Sequence, residues 1–289
     1  MRATTKILFI IFGCFLSILT MGDNSMIIPN GDLVFGSGQG LYKLNLKSCK
    51  MNELYHDNLS VFDKVSKVDE NKFLFLQDGP PDISIKMFDL KNHTIDLIYK
   101  GATSPCYNAH NKKIIFNYIP TYKEGPFIYS ADLNNNIISK IKKVSVGSSY
   151  ANSIGVISVS PDEVVFNYSE SKNSIHMYNM VTGVLKNLPI QDCDFPQIWR
   201  SKTKQLMCYD PKNQNYFLTD LSGKKIEKMK TPASFLPVLY LEKYDELLFT
   251  ITSFPEKDHL GIYDFKTGDS KILCDNIGLG TGDAAYYGS

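Results

Sequence analysis

The chain has 289 residues and a formal net charge of +1, with 43% hydrophobic and 21% charged residues. This composition is ordinary for a globular protein, and it excludes a disordered chain, a collagen and a polytopic membrane protein. The near-zero charge gives no general attraction to nucleic acid or anionic lipid. The arginines are Arg2 and Arg200 alone, so the planar guanidinium group that favours phosphate and guanine recognition is scarce.

Residues 1–22 have the layout of a secretory signal peptide. Arg2 and Lys6 supply a positive start, residues 7–20 form an apolar run, and Gly22 ends the segment on a small residue. The run is shorter than the roughly 20 apolar residues that span a bilayer. We therefore expect cleavage after Gly22, export to the periplasm or beyond the cell, and a single domain over residues 23–289.

Two alternatives for this N-terminal segment stay open. The segment could remain as an uncleaved membrane anchor. Alternatively, Cys14 follows Ile11-Phe12-Gly13, which resembles a loose lipobox, so that a lipoprotein acylated at Cys14 is conceivable. Either alternative would attach the protein to a membrane through this segment alone.

A short β-prone apolar run recurs six times along the remainder of the chain. The runs end at Phe35, Phe75, Phe116, Phe166, Met207 and Phe249, which are separated by 40, 41, 50, 41 and 42 residues. A tight polar turn precedes each run and a longer loop follows it. The repeat length predicts one supersecondary unit per repeat.

A second element follows each of these runs. It consists of alternating apolar residues, an Asp or Asn, a short polar turn and another strand-like stretch, which is the pattern of a β-hairpin. The Asp or Asn is expected to accept a hydrogen bond from a turn amide. These residues are Asn45, Asp89, Asp132, Asn179, Asp220 and Asp264.

Each repeat thus predicts four short antiparallel strands, called a, b, c and d here, and six such repeats predict an all-β, six-bladed β-propeller. Residues 157–189, ISVSPDEVVFNYSESKNSIHMYNMVTGVLKNLP, resemble the blade motif of TolB-like (PD40-type) propellers in their Ser-Pro-Asp turn, apolar strand and glycine turn. Residues 240–273 follow the same outline without Ser-Pro-Asp. The resemblance covers nearly all of residues 25–289, and it implies an architecture shared by binding proteins and enzymes, without catalytic residues.

The closure of the ring is open at the level of sequence. Residues 25–28 could form the innermost strand of the first blade, the C-terminal residues 282–289 could add a strand to that blade, or both segments could contribute. Cys49 and Cys274 fall near the outer edges of the first and last repeats, so a closing disulfide between them is a further option. Removal of residues 1–22 would leave five cysteines, an odd number, and none has the CxxC spacing of a zinc site.

The d–a and b–c loops share one face of a propeller, and here they are rich in tyrosines and carboxylates, which suit a protein or peptide partner. Solvated turn residues would give the same composition. The candidate ligand- or partner-binding residues are Asp78, Asp82, Tyr118, Tyr122, Glu124, Tyr150, Tyr168, Glu170, Asp192, Asp194, Tyr209 and His259.

No catalytic constellation is apparent in the sequence, so we expect a non-catalytic propeller that needs no cofactor. Asp192 and Asp194 alone provide too few oxygens for a calcium or magnesium site. The first alternative is a metal-dependent propeller enzyme of the lactonase or lyase kind, in which Asp78, Asn117, Asn167, Asp192 and Asp194 would hold a divalent metal at the axis. The second is a sugar-binding propeller, which the tyrosines allow equally well.

Overall fold

The computed structural model describes residues 28–79, 82–118, 127–134, 136–146, 156–167, 175–193, 195–232, 234–251, 258–277 and 284–288. Within these ranges the regular secondary structure is entirely β, and 24 strands form six four-stranded antiparallel sheets. The predicted six-bladed propeller is therefore confirmed. The predicted signal peptide, residues 1–22, lies outside the described residues.

The first three blades contain the following strands. Blade 1 consists of β1 (Gly31–Ser37), β2 (Gly40–Asn45), β3 (Met51–His56) and the C-terminal β24 (Ala284–Gly288). Blade 2 consists of β4 (Val61–Lys67), β5 (Lys72–Asp78), β6 (Ser84–Asp89) and β7 (Thr94–Lys100). Blade 3 consists of β8 (Ala102–Asn108), β9 (Lys113–Tyr118), β10 (Phe127–Asn134) and β11 (Ile137–Val146).

The other three blades follow the same order. Blade 4 consists of β12 (Val156–Ser158), β13 (Glu163–Asn167), β14 (Ile175–Asn179) and β15 (Leu185–Leu188). Blade 5 consists of β16 (Phe195–Arg200), β17 (Gln205–Asp210), β18 (Asn215–Thr219) and β19 (Lys225–Lys228). Blade 6 consists of β20 (Phe235–Leu241), β21 (Glu246–Ile251), β22 (His259–Asp264) and β23 (Ser270–Cys274).

The position of a strand within its blade decides its composition. The b strands carry the recurrent apolar runs, and Leu33, Val34 and Phe35 of β1 are all fully buried because both faces of a blade pack against neighbouring blades. The outermost strands are more exposed, and β19 is exposed along its whole length. Lysines on such edges discourage pairing with another chain.

The hydrophobic core lies between the blades. Each buried cluster of the described residues draws on two neighbouring blades, and together the six clusters account for all six interfaces. The innermost strands β24, β4, β8, β12, β16 and β20 also contact one another in sequence around the ring. The ring is therefore closed, and each blade is stabilised by apolar burial against two others.

The C-terminal strand completes blade 1. β24 pairs antiparallel with β1, with Ala284 opposite Phe35 and Gly288 opposite Gly31. Of the two closures that the sequence left open, this is the C-terminal one; residues 25–27 lie outside the described residues. A disulfide between Cys49 and Cys274, with a Cα–Cα distance of 5.5 Å, also joins blade 1 to blade 6.

A second disulfide, which the sequence analysis did not predict, joins Cys193 to Cys208. Cys193 lies in the loop between blades 4 and 5, and Cys208 lies on β17. Both residues are completely buried within the cluster between these two blades. The bridge therefore fixes the d–a loop that leads into blade 5.

The c–d hairpins share one turn structure. As predicted, the side-chain oxygen of the Asp or Asn accepts a backbone hydrogen bond: Asn45 from Ser48 N at 2.9 Å, Asp89 from Lys91 N at 2.9 Å, and Asn179 from Thr182 N at 2.9 Å. Asp220 and Asp264 do the same. The turn that follows Asp132 includes residue 135, which is outside the described residues.

The residue four positions after the Asp or Asn adopts a left-handed backbone conformation in five of these turns. The residues are Cys49, His93, Asn136, Gly183 and Gly268, with φ between 51° and 75°. The residue directly after the Asp or Asn points inward, and its amide donates to a carbonyl of the a–b turn, as in Met180 N to Asp162 O at 2.7 Å. In blades 2, 3, 4 and 6 the c–d turn is thus tied to the a–b turn of its own blade.

Candidate functional site

The loops b–c and d–a lie on one face of the ring, which we call the loop face, and the a–b and c–d turns lie on the other, the turn face. Six of the twelve loop residues singled out from the sequence lie outside the described residues. These are Tyr122, Glu124, Tyr150, Tyr168, Glu170 and Asp194. Tyr118 ends β9, but its side chain is also outside the described set.

Asp78 and Asp82 lie on either side of the b–c loop of blade 2. Asp78 is the last residue of β5 and is exposed. The Asp82 carboxylate is 3.4 Å from the Lys100 ammonium, and both side chains are at least half exposed. Exposed pairs of this kind contribute little stability, so these carboxylates remain accessible to solvent and to a partner.

Asp192 and His259 each have charged partners. Asp192 accepts from the ammonium groups of Lys212 at 2.9 Å and Lys225 at 3.0 Å, and these bonds hold its pKa below the usual range. His259 Nδ1 is 2.9 Å from Asp275 Oδ1. Asp192 is therefore part of a cluster of ion pairs with two lysines of blade 5.

A large cavity lies on the loop face between blades 5 and 6. Its volume is about 1120 Å³, and its walls come from Gln197 of β16, the b–c loop and adjoining strands of blade 5, and the d–a loop into blade 6. Among the described residues, Tyr209 is the one predicted site residue in its lining. The remaining lining residues are Gln214, Asn215, Tyr216, Lys228, Met229, Lys230, Thr231, Pro232, Ser234, Phe235 and Leu236.

Tyr209, Tyr216 and Phe235 form an aromatic floor in this cavity, and Phe235 packs on the fully buried Phe249. The ring centroids are 5.1 Å apart for Tyr209 and Tyr216, 5.3 Å for Tyr216 and Phe235, and 4.5 Å for Phe235 and Phe249. Tyr216 and Phe235 are only 6% and 4% exposed. Burial raises the pKa of Tyr216 to about 12, so its hydroxyl stays protonated at physiological pH.

The d–a loop that forms the outer wall is held at two points. The Met229 amide donates to the Tyr216 carbonyl at 3.0 Å, and the Lys230 backbone forms a hydrogen bond with the Tyr263 side chain. Met229 is itself 3% exposed. The cavity therefore has a largely pre-formed wall, as is typical of binding sites.

A second cavity of about 490 Å³ lies at the axis, near the turn face. The inner strands of blades 3 to 6 line it with Tyr107, Trp199 and Tyr240, together with His110 and Glu242 at its edge. Its lining mixes aromatic, hydroxyl and single charged groups. No reacting pair of carboxylates or metal-ligand set stands out among its described residues.

The residues proposed for an axial metal occupy different parts of the blades. Asp78, Asn117 and Asn167 lie on the b strands β5, β9 and β13, one strand outward from the axis, and Asp192 is ion-paired with lysines. The described residues contain no group of three or more His, Cys, Asp or Glu side chains placed to bind a metal ion. The described part of the chain also has no helix capable of spanning a bilayer.

Sequence reasoning missed most residues of the blade 5–6 cavity. It identified the two loops that surround it, but it selected tyrosines and carboxylates within them. The lining instead consists largely of amide, hydroxyl and lysine side chains such as Gln197, Gln214 and Lys228. One signal in the sequence could have identified this cavity. The b–c loop of blade 5 and the d–a loop into blade 6 are both long, and both belong to the same face of the ring.

The sequence matches no protein-family model and no curated protein. Its structure, in contrast, is similar to those of several solved propellers. TolB from Acinetobacter baumannii matches with a TM-score of 0.67 and 13% identity, over 90% of this chain and 67% of that one. A chain of the nidogen/laminin complex matches with a TM-score of 0.68 and 12% identity, over 89% of this chain and 98% of that one.

An enzyme is also among the similar structures. Oligogalacturonate lyase in complex with manganese has a TM-score of 0.55 and 13% identity, over 77% of this chain and 70% of that one. At such identities the similarity establishes the architecture alone. The chain therefore has the fold of a TolB-like six-bladed β-propeller, as residues 157–189 indicated.

Proposed function

We propose that this protein is an exported, non-catalytic propeller that binds a protein or peptide partner on its loop face. The observation that carries the proposal is the blade 5–6 cavity, which is large, has an aromatic floor, and has a wall held by backbone hydrogen bonds. Its described lining offers hydrogen-bonding groups without a nucleophile–base pair. These are features of recognition more than of catalysis.

Export is supported by the two disulfides. Cys49–Cys274 and Cys193–Cys208 link parts of the chain that are far apart or deeply buried. Structural disulfides persist mainly in oxidising compartments such as the periplasm and the extracellular space. This agrees with the signal-peptide layout of residues 1–22, and the N-terminal peptide of the purified protein, identified by mass spectrometry, distinguishes cleavage after Gly22 from retention or acylation at Cys14.

The test of partner binding is cross-linking in the cells that produce the protein, followed by purification and mass spectrometry. Thr231→Trp places a large ring in the cavity wall, and Lys224→Trp adds the same ring to an exposed turn of the same blade on the turn face. We expect a partner that the wild type and Lys224→Trp enrich and that Thr231→Trp loses. A partner enriched equally by all three proteins would show that the cavity is not its binding site.

The enzyme alternative is tested on the same purified protein by elemental analysis after dialysis against micromolar Mn²⁺, Ca²⁺ or Zn²⁺. Stoichiometric retention of one divalent ion, together with no partner, would contradict the non-catalytic proposal. Lactones and glycans would then be screened as substrates. Retention below one ion per ten chains, with a cavity-dependent partner, is the result that we expect.

A further inference from the structure

The charged side chains in the described lining of the blade 5–6 cavity are lysines, whereas Asp210 and Glu227 line a neighbouring cavity of about 320 Å³ that shares Lys228. Lys228 and Lys230 contribute to its lining, and no Asp or Glu does so among the described residues. Both side chains are exposed, and in the described part of the chain neither has a carboxylate within ion-pair distance. By comparison, Lys212 and Lys225 of the same blade are both paired with Asp192.

The lining also provides several groups that recognise a polypeptide backbone. Gln197, Gln214 and Asn215 each carry a carbonyl acceptor and an amide donor, and Thr231 and Ser234 add hydroxyl groups. An extended peptide presents alternating N–H and C=O groups, which such side chains can pair with. The volume of about 1120 Å³ is above the roughly 300–1,000 Å³ of ordinary ligand pockets, which favours a short segment over a single small molecule.

The aromatic floor is less suited to a sugar. Sugar rings are commonly bound by stacking on an open aromatic face, but Tyr216 and Phe235 are only 6% and 4% exposed and pack against each other. Apolar peptide side chains need only a shallow apolar surface, which the edges of these rings and Leu236 provide. Tyr209, which is partly exposed, is the one ring of this described floor on which a sugar could stack.

From these observations we infer that the blade 5–6 cavity binds an extended, acidic peptide segment. Lys228 and Lys230 would hold its carboxylates at the rim, and the amide side chains would pair with its backbone. The inference rests on the proposed function and specifies the chemistry of the partner at that site. Lysine–carboxylate pairs at an exposed rim mainly accelerate association and add specificity. Because salt screens these charges, binding of the peptide should weaken with added salt.

The test is selection of a random heptapeptide library, displayed on phage, against the immobilised full-length exported protein. Individual selected peptides are then synthesised and measured by fluorescence anisotropy. The charge variant is Lys228→Gln with Lys230→Gln. The matched control is Lys204→Gln with Lys224→Gln, which removes the same charge from exposed turns of the same blade on the turn face.

We expect the selected peptides to be enriched in Asp and Glu over the input library and to bind the charge variant about five- to tenfold more weakly than the wild type. The control should bind them as the wild type does. Raising NaCl from 50 to 300 mM should weaken binding to the wild type and have much less effect on the charge variant. Thr231→Trp should abolish binding.

Other outcomes separate the two proposals. Peptides that lose binding in Thr231→Trp but lack acidic enrichment, or bind the charge variant undiminished, would overturn the acidic-peptide inference and leave the partner-binding proposal standing. If no peptide is selected, the cross-linking experiment is repeated with the charge variant. A partner that the charge variant captures as well as the wild type does would overturn the acidic-peptide inference. Lysine-dependent binding of a hyaluronan tetrasaccharide without peptide binding would overturn the peptide class. Without peptide, sugar or cavity-dependent partner, both proposals fail.

Discussion

Arg200 and Asp245 form a buried ion pair between blades 5 and 6. Arg200 Nε and Nη2 donate to the two Asp245 oxygens at 2.7 and 2.6 Å, and the Tyr240 hydroxyl donates to Asp245 at 2.9 Å. The guanidinium carbon also lies 4.4 Å from the centre of the Phe265 ring. The two side chains are only 10% and 8% exposed, so loss of either leaves the other charge buried without its partner.

We therefore predict that Arg200→Met lowers the free energy of unfolding by about 3–5 kcal/mol. Arg200→Lys should recover only part of this loss, because one ammonium cannot make two parallel bonds. Urea unfolding followed by circular dichroism measures both effects. The exposed control Lys202→Met should change stability by less than about 0.5 kcal/mol; an equally small effect of Arg200→Met would contradict the prediction.

Glu246 is a buried carboxyl group placed opposite Asp264 in the β21–β22 pair. It is 4% exposed, and burial, reinforced by the charges of Asp264 and Asp245 and opposed by Lys266, raises its pKa to about 7. Because the native state then binds a proton that the unfolded state releases near pH 4.5, stability falls as pH rises from 4.5 to 7 and levels off above.

Glu246→Gln should remove this pH dependence, since an amide does not ionise. We predict that the variant and wild type have similar stability at pH 4 and that the variant is more stable at pH 8, by on the order of 3 kcal/mol. Urea unfolding at half-unit pH intervals measures the difference. Glu242→Gln, an exposed change in the same blade, should leave the profile unaltered. Parallel wild-type and Glu246→Gln profiles would show that the carboxyl is ionised in the native state.

At the scale of the element, the c–d turn is the unit that the sequence predicts best. Its Asp or Asn, the apolar residue that follows and the left-handed position all fall within five consecutive residues, so local physics determines the structure. Asn179 and Gly183 show the pattern directly, with the side chain accepting from Thr182 N and φ of 73° at the glycine. Because this hairpin and the apolar run before it recur once in every blade, their spacing along the sequence predicted the number of blades.

Gly268 tests the conformational part of this turn. Its φ is 74°, and an added Cβ would meet nothing nearer than the Tyr263 hydroxyl at 3.7 Å. Gly268→Ala should therefore cost about 1–2 kcal/mol through the left-handed backbone alone. Thermal unfolding by calorimetry measures the loss, with Asp269→Ala as the control for an exposed residue of the same turn. A neutral Gly268→Ala would mean that the turn relaxes to another conformation.

At the scale of the whole molecule, contacts between blades limit what the sequence could reveal. The partners of Asp82, Asp192 and His259 are lysines or an aspartate 16 to 33 residues away, and no local pattern encodes such pairs. The blade 5–6 cavity likewise depends on how two blades pack. Tyr209 was predicted because a tyrosine in a loop is conspicuous by itself, whereas Gln197 and Lys228 gain significance only from the assembled ring.

Ring closure is a property of the whole molecule that could not be decided from the sequence. In the structure, a strand pairing and a disulfide both close the ring. β24 closes the ring by hydrogen bonds to β1, and Cys49–Cys274 closes it covalently across a sequence separation of 225 residues. In the loop-entropy model a bridge of this span stabilises by roughly 5 kcal/mol, against roughly 3 for the separation of 15 between Cys193 and Cys208.

Because the strand pairing and the disulfide both hold blade 1 against blade 6, their removal should be more than additive. We predict that deletion of residues 284–289 leaves a folded but less stable protein while Cys49–Cys274 is intact, and abolishes cooperative unfolding when combined with Cys49→Ser and Cys274→Ser. The same deletion combined with Cys193→Ser and Cys208→Ser should give additive losses, because that bridge joins blades 4 and 5. The six proteins are the wild type, the deletion variant, the two double Cys→Ser variants and the two combinations. Urea unfolding of all six gives one double-mutant cycle for each disulfide. Additive losses in both cycles would mean that strand and disulfide stabilise the ring independently.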